Sequence, residues 1–311
     1  MEAPWFWIPL SLFAALMQAV RTAAQKQLNQ RMSTMGTTYV RSLFGIPFLL
    51  IFLIAVTLYT GHGAPAFKPA FVLHTFGGAA TQVLATAALI SMFRLKNFAV
   101  GTMLTKTDLI MTAVIGTLLF AEQTSTLGWL AIGVVMCGVA LMLLGRSRTS
   151  ILSAANDSWR ALLFGRAMQV ALACALMFSF SYLFLRAATL ELGVEQHYLW
   201  RAGWTLIVVT VMQSIGLGIW LAVREPTVFK QMWPMRRIAS FIGLTSALGS
   251  VGWYSAFALQ NAAYVRAVGQ IEVVFTLMIS SLYFREKVRP LEYAGIALTV
   301  VGVLMFRLWG V

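Results

Sequence analysis

A chain of 311 residues that is 59% hydrophobic and only 11% charged, with a mean hydropathy of +0.80, is excluded from the ordinary soluble domains and reads as a polytopic membrane protein. A formal charge of +13 would suggest nucleic acid in a soluble chain. Here most basic residues sit in short breaks between apolar runs, where they set orientation, so the lipid bilayer is the expected partner and nucleic acid is not.

About 20 apolar residues cross the hydrocarbon as a helix. Ten such stretches are predicted, over residues 6–28, 37–59, 71–93, 98–120, 125–144, 166–188, 197–222, 239–259, 262–284 and 290–309. Their polar residues are spaced as on helices and show no two-residue alternation, which argues against a β-barrel; the fold class is all-α. No basic region or cleavage pattern precedes span 1, which is therefore expected to stay in the mature protein. It opens on Trp5, Phe6 and Trp7, suited to an interfacial belt, and turns polar at Gln18, Arg21 and Lys26.

Span 2 carries Arg41 a turn inside its start, and span 7 carries Arg201 at the matching place. Each could snorkel to the interface or line a vestibule. Spans 3 and 8 are rich in small residues, including Gly77, Gly78, Gly243, Gly249 and Gly252, which let helix backbones approach closely in lipid. Trp253 and Tyr254 beside them could instead wall a substrate pocket.

Spans 4 and 9 hold the buried charges. KTDLIMTAVIGTLLFAE runs from Lys106 to Glu122, and QIEVVFTLMISSLYFRE from Gln270 to Glu286. The positions of Asp108 and Glu272 differ by 164, the offset that also relates Asn97 to Asn261, Lys106 to Gln270, Glu122 to Glu286 and Gly138 to Gly302. An offset of 160 relates Arg41 to Arg201 and Lys26 to Arg186, so the chain is two copies of one five-span unit: residues 1–145 and 165–311 around a polar linker at 146–164. A carboxylate at mid-depth costs several kcal/mol unless paired, neutralised or wetted. Asp108 and Glu272 are therefore candidate proton carriers, since burial favours the neutral carboxyl unless a cation offsets it. The alternative is an ion-pair network, for example Asp108 with an arginine and Glu272 with Lys106, that only locks the halves together. Lys106 and Asp108 point to different faces of a helix, whereas Arg266 and Gln270 share one.

Glu122 and Glu286 stand in the breaks before spans 5 and 10, where a negative charge favours the N-terminus of the next helix; both read as structural markers. Spans 5 and 10 are glycine-spaced, fit for packing or for a weak homodimer, although one chain holds both halves and a monomer would suffice. Cys137 and Cys174 fall inside spans and imply no disulfide framework. His62, His74 and His197 lack ligand spacing, so neither metal nor cofactor is expected.

An odd number of spans per copy inverts the second copy in the membrane. Inverted repeats can open alternately to either side, with a substrate site near the midplane at the repeat interface. Thirteen of the 23 Lys and Arg fall in odd-numbered breaks, namely Arg31; Arg94 and Lys96; Arg146, Arg148 and Arg160; Arg224, Lys230, Arg236 and Arg237; and Arg285, Lys287 and Arg289. This places the odd breaks in the cytoplasm and both termini outside.

A 5+5 inverted repeat with a glutamate closing the fourth span of each half before a glycine-spaced fifth (LLFAE then GVVMCGVALM; LYFRE then GIALTVVGVLM) resembles the EamA family of the drug/metabolite transporter superfamily. The resemblance covers nearly the whole chain. It implies a secondary carrier in a bacterial cytoplasmic (inner) membrane, many members of the family exporting amino acids or other metabolites; the family's termini are commonly cytoplasmic, and this charge bias is the reverse. The expected function is an exporter or exchanger of a small polar anionic or zwitterionic metabolite, with protons as candidate coupling ion. Lys106, Arg266, Arg41 and Arg201 would hold the acidic group, Gln270 and Thr105 would add neutral hydrogen bonds, and Trp253 and Tyr254 would wall the pocket. Alternatives are a flippase for a lipid-linked anionic headgroup and a non-transport membrane protein. An enzyme would need a nucleophile with its base, a metal cluster or a cofactor motif, and none is evident.

Overall fold

The computed structural model describes residues 5–92, 104–157, 166–284 and 288–309. These residues form helices and connecting turns: α1 (Trp7–Leu28), α2 (Thr34–Leu43), α3 (Ile46–Thr60), α4 (Pro69–Met92), a 3-10 turn (Thr105–Thr107), α5 (Asp108–Leu119), α6 (Thr126–Asp157), α7 (Arg166–Glu191), α8 (Tyr198–Arg224), α9 (Thr227–Met232), α10 (Arg236–Leu259), α11 (Ala262–Gly269), α12 (Ile271–Phe284) and α13 (Pro290–Leu308). Among the described residues nine segments are long and apolar enough to cross a bilayer. The tenth expected span, 98–120, begins in residues that lie outside the described ones. Side chains such as Leu58 and Leu282, 78% and 79% exposed, belong on a surface that faces lipid. The protein is an all-α, multi-pass membrane protein.

The structure adds two details to the expected spans. Span 2 crosses as one segment, Thr34–Thr60, but its helix stops at Leu43 and restarts at Ile46, because the Pro47 ring has no N–H to donate and collides with the carbonyl four residues back. Gly243 of α10 packs into this break, where a Cβ would overlap the Phe44 carbonyl. Helix α6 continues to Asp157, so the first part of the expected linker at 146–164 is helical, and the remainder lies outside the described residues.

The chain packs into two compact units. Unit 1 holds Met1–Trp5, Thr81–Leu183 and Asn261–Val311, and unit 2 holds Phe6–Ala80 and Phe184–Gln260. Each unit draws on both sequence repeats, because repeat mates pack on each other: α6 on α13 and α5 on α11 in unit 1, and α2 on α8 in unit 2. Three glycines of spans 5 and 10 meet inside the chain. A Cβ on Gly295 would stand 2.6 Å from the Gly138 carbonyl, and one on Gly302 2.6 Å from the Val135 side chain, so Gly138, Gly295 and Gly302 serve α6–α13 packing, whereas Gly133 is exposed with open space around it. In unit 2, Gly249 and Gly252 of α10 lie against α1 at Met17 and Ala14. The aromatic end of unit 2 clusters Val56, Phe71, Ala188, Leu192 and Trp200, with the Trp200 indole N–H donating to the His62 and Gly63 carbonyls.

Candidate functional site

The fourth span of each repeat is interrupted at the same place. In the second repeat α11 ends at Gly269 and α12 starts at Ile271, the turn being tightened by Gln270 N–H to Ala267 O and Val273 N–H to Gln270 O. In the first repeat the 3-10 turn over Thr105–Thr107 precedes α5. Asp108 and Glu272 therefore begin helices, in the first turns of α5 and α12, where the positive end of the helix dipole favours a carboxylate. Breaks of this kind expose helix ends to a ligand at mid-depth.

Asp108 is the centre of a buried polar cluster in unit 1. Its Oδ2 accepts from Arg266 Nη2 at 3.2 Å, with both side chains almost wholly enclosed. Its carbonyl accepts from Ser179 Oγ at 2.8 Å and Thr112 Oγ1 at 2.6 Å. The Arg266 guanidinium stands 4.3 Å over the Tyr182 ring, a cation–π contact. Glu272 is within electrostatic reach of both Arg266 and Tyr182. The expected pairing of Asp108 with an arginine thus forms, whereas Glu272 shares that same arginine, and Lys106, half-buried, makes no ion pair among the described residues. Gln270 is 1% exposed, and neither atom of its amide finds a hydrogen-bond partner; Asp108 Oδ1 is likewise unpartnered. Thr105, the first residue of the 3-10 turn, is buried. Ser179 and Tyr182 were not expected here, because they lie on span 6, which the spacing of charged residues leaves unmarked.

Glu122 has a long-range structural role. Its Oε2 accepts from the Ala262 N–H at 3.0 Å, so it caps α11, 140 residues on. The turn that places it has Ala121 at φ 54°, with the Phe120 and Glu122 N–H groups both donating to the Gly116 carbonyl. Tyr264 closes the same corner, its hydroxyl accepting from the Ser125 N–H at 2.9 Å. Glu286 lies outside the described residues.

Arg41, Arg201, Trp253 and Tyr254 belong to unit 2. Arg201 Nη2 donates to Ala258 O at 3.1 Å, and Arg186 Nη1 to Phe257 O and Gln260 O, so two cations sit on the C-terminal carbonyls of α10, the negative end of its dipole. Trp253 donates from its indole to Gln18 Oε1 at 3.1 Å, and Tyr254 is within electrostatic reach of Arg41. Among the described residues no cluster of His, Cys, Asp or Glu has the arrangement of a metal site.

Comparison with known proteins gives three findings. The EamA-like transporter family model matches residues 5–144 and again 165–308. Solute carrier family 35 member E4 of Homo sapiens is 36% identical over 64 residues, 21% of this chain and 18% of that protein. Its Rattus norvegicus counterpart is 31% identical over 82 residues, 26% and 23%, so the chain matches less than a quarter of the length of either relative. One crystal structure of a protein superposes with a TM-score of 0.71 at 14% identity, covering 99% of this chain and 96% of that one, a likeness of fold.

Proposed function

The chain belongs to the EamA-like transporter family and is a membrane transporter of small molecules, and from that premise we propose that it is a secondary carrier of a small anionic or zwitterionic metabolite, an exporter or exchanger, coupled to protons through the Asp108 cluster. The observation that carries this reading is the sharing of one buried arginine, Arg266, between Asp108 at 3.2 Å and the field of Glu272. Both carboxylates lie in the field of that guanidinium, and the cluster is the place proposed to take up a proton. When Asp108 takes it, Arg266 is released to the acidic group of a substrate, which the unpartnered Gln270 amide, Thr105 and Lys106 would orient. Proton and substrate then occupy the cluster together, and helix ends at the two breaks are the hinges through which occupancy would bias alternating access.

The test is flux in proteoliposomes under an imposed pH gradient, with a panel of amino acids and organic acids. Asp108→Asn and Glu272→Gln should abolish the pH dependence while Lys106→Ala weakens substrate affinity; full pH-driven flux in both carboxylate variants would rule out coupling through them. The proposed setting is a bacterial cytoplasmic membrane with both termini outside. Reporter fusions at the C-terminus, active only on one side, decide the orientation.

A further inference from the structure

Unit 2 contains buried cations with almost no anions. Residues 6–80 include no Asp or Glu, and residues 184–260 include only Glu191, Glu195 and Glu225. Glu191 faces His74 at 3.6 Å, Glu225 caps the far end of α8, and Glu195, in the loop before α8, is within electrostatic reach of Arg201 without forming an ion pair among the described residues. Arg201 is 5% exposed. Of its five N–H donors only Nη2 is used, and Nε and Nη1 are buried without a partner. Neutral carbonyls at a helix end offset roughly half a charge, and Arg186 bonds to neighbouring carbonyls of the same helix end, so the Arg201 charge is met by no ion pair among the described residues.

The register of the two helices shows what surrounds it. Consecutive spans α8 and α10 run antiparallel, pinned by Arg201 to Ala258. One turn further in from that bond are Thr205 on α8 and Ser255 on α10, both fully buried, each with its hydroxyl unpartnered. Tyr254 lies at the same depth with Arg41 in electrostatic reach. Two guanidinium donors and two hydroxyls without partners, within about one turn of each other along a single helix pair, form a donor-rich site that a cation cannot use and an oxyanion can.

We propose that unit 2 holds a binding site for a small oxyanion, a carboxylate or phosphate group, made by Arg201, Thr205 and Ser255. This site is separate from the proton cluster of unit 1 and does not depend on the coupling assigned there. The ligand's oxygens replace the hydrogen bonds that the buried hydroxyls and the guanidinium lack, and its charge balances Arg201. The same chemistry could come from a soluble anion or from a lipid phosphate.

The test is thermal unfolding of the full chain in detergent with sodium phosphate, sodium acetate or choline chloride at matched ionic strength, and in nanodiscs of phosphatidylcholine with and without phosphatidylglycerol. Expected is a saturable rise of the midpoint with phosphate or acetate and none with choline, as mass action on the native state requires. The double variant Thr205→Val, Ser255→Ala keeps the Arg201–Ala258 bond and should weaken the apparent affinity at least tenfold; Arg201→Gln should abolish it. If Arg201→Gln does not fold, the double variant alone decides. Stabilisation only by phosphatidylglycerol, lost in the double variant, supports the site with lipid as the source. No saturable stabilisation by any anion, or equal stabilisation of wild type and double variant, overturns it. Asp108→Asn should leave the phosphate effect intact while removing pH-driven flux, so either proposal can fail alone.

Discussion

The two compact units handle buried charge in opposite ways. Unit 1 surrounds Arg266 with two carboxylates and a tyrosine ring. Unit 2 seats Arg201 and Arg186 on helix-end carbonyls, and Arg201 forms no ion pair among the described residues. A buried ion pair holds its members through each other, so removing one partner strands the other. A cation on neutral carbonyls is held less strongly but keeps its charge available. On the two proposals made above, unit 1 exchanges a proton and unit 2 accepts an anion.

The sharpest way to break this comparison is to truncate each centre. Asp108→Ala leaves Arg266 buried without its ion-pair partner and should cost about 3–5 kcal/mol of stability, whereas Arg201→Gln removes one charge-assisted bond to Ala258 and should cost about 1.5–3 kcal/mol; equilibrium unfolding in mixed micelles compares them, and a larger cost in unit 2 would reverse the ranking. Packing should not distinguish the units. Gly295→Ala in unit 1 and Gly243→Ala in unit 2 each drive a methyl into a facing backbone and should each lose about 1–3 kcal/mol by overpacking, read as lowered melting midpoints. Removing the long-range cap sharpens the picture of unit 1: Glu122→Ala should cost about 0.5–2 kcal/mol, with faster amide exchange confined to the first turn of α11. The smallest effect is expected at Ala121, whose left-handed conformation disfavours a Cβ by about 1–2 kcal/mol. Ala121→Gly should raise stability by up to about 1 kcal/mol, net of the extra freedom glycine gains in the unfolded chain, and a fall would mean that the alanine methyl makes packing contacts worth more than the strain.

Hydropathy and composition determined the class, the spans and the twofold repeat without help, because the cost of an unpaired peptide group in hydrocarbon leaves a spanning chain little choice but long apolar helices. The breaks were only partly legible: Pro47 marks one by its covalent geometry, but nothing local distinguishes Gln270 from a mid-helix residue. The charges Asp108 and Arg266 stood out by their depth, yet their pairing, the contribution of Ser179 and Tyr182 from span 6, and the reach of Glu122 to α11 rest on contacts between residues far apart in sequence. The same is true of the division into units, which cuts across the repeats because each repeat packs its helices on its mate. Local sequence periodicity determines which residues are helical and buried; only the tertiary structure decided which buried donor meets which acceptor, because that depends on helix register and crossing, to which no single helix's pattern is sensitive.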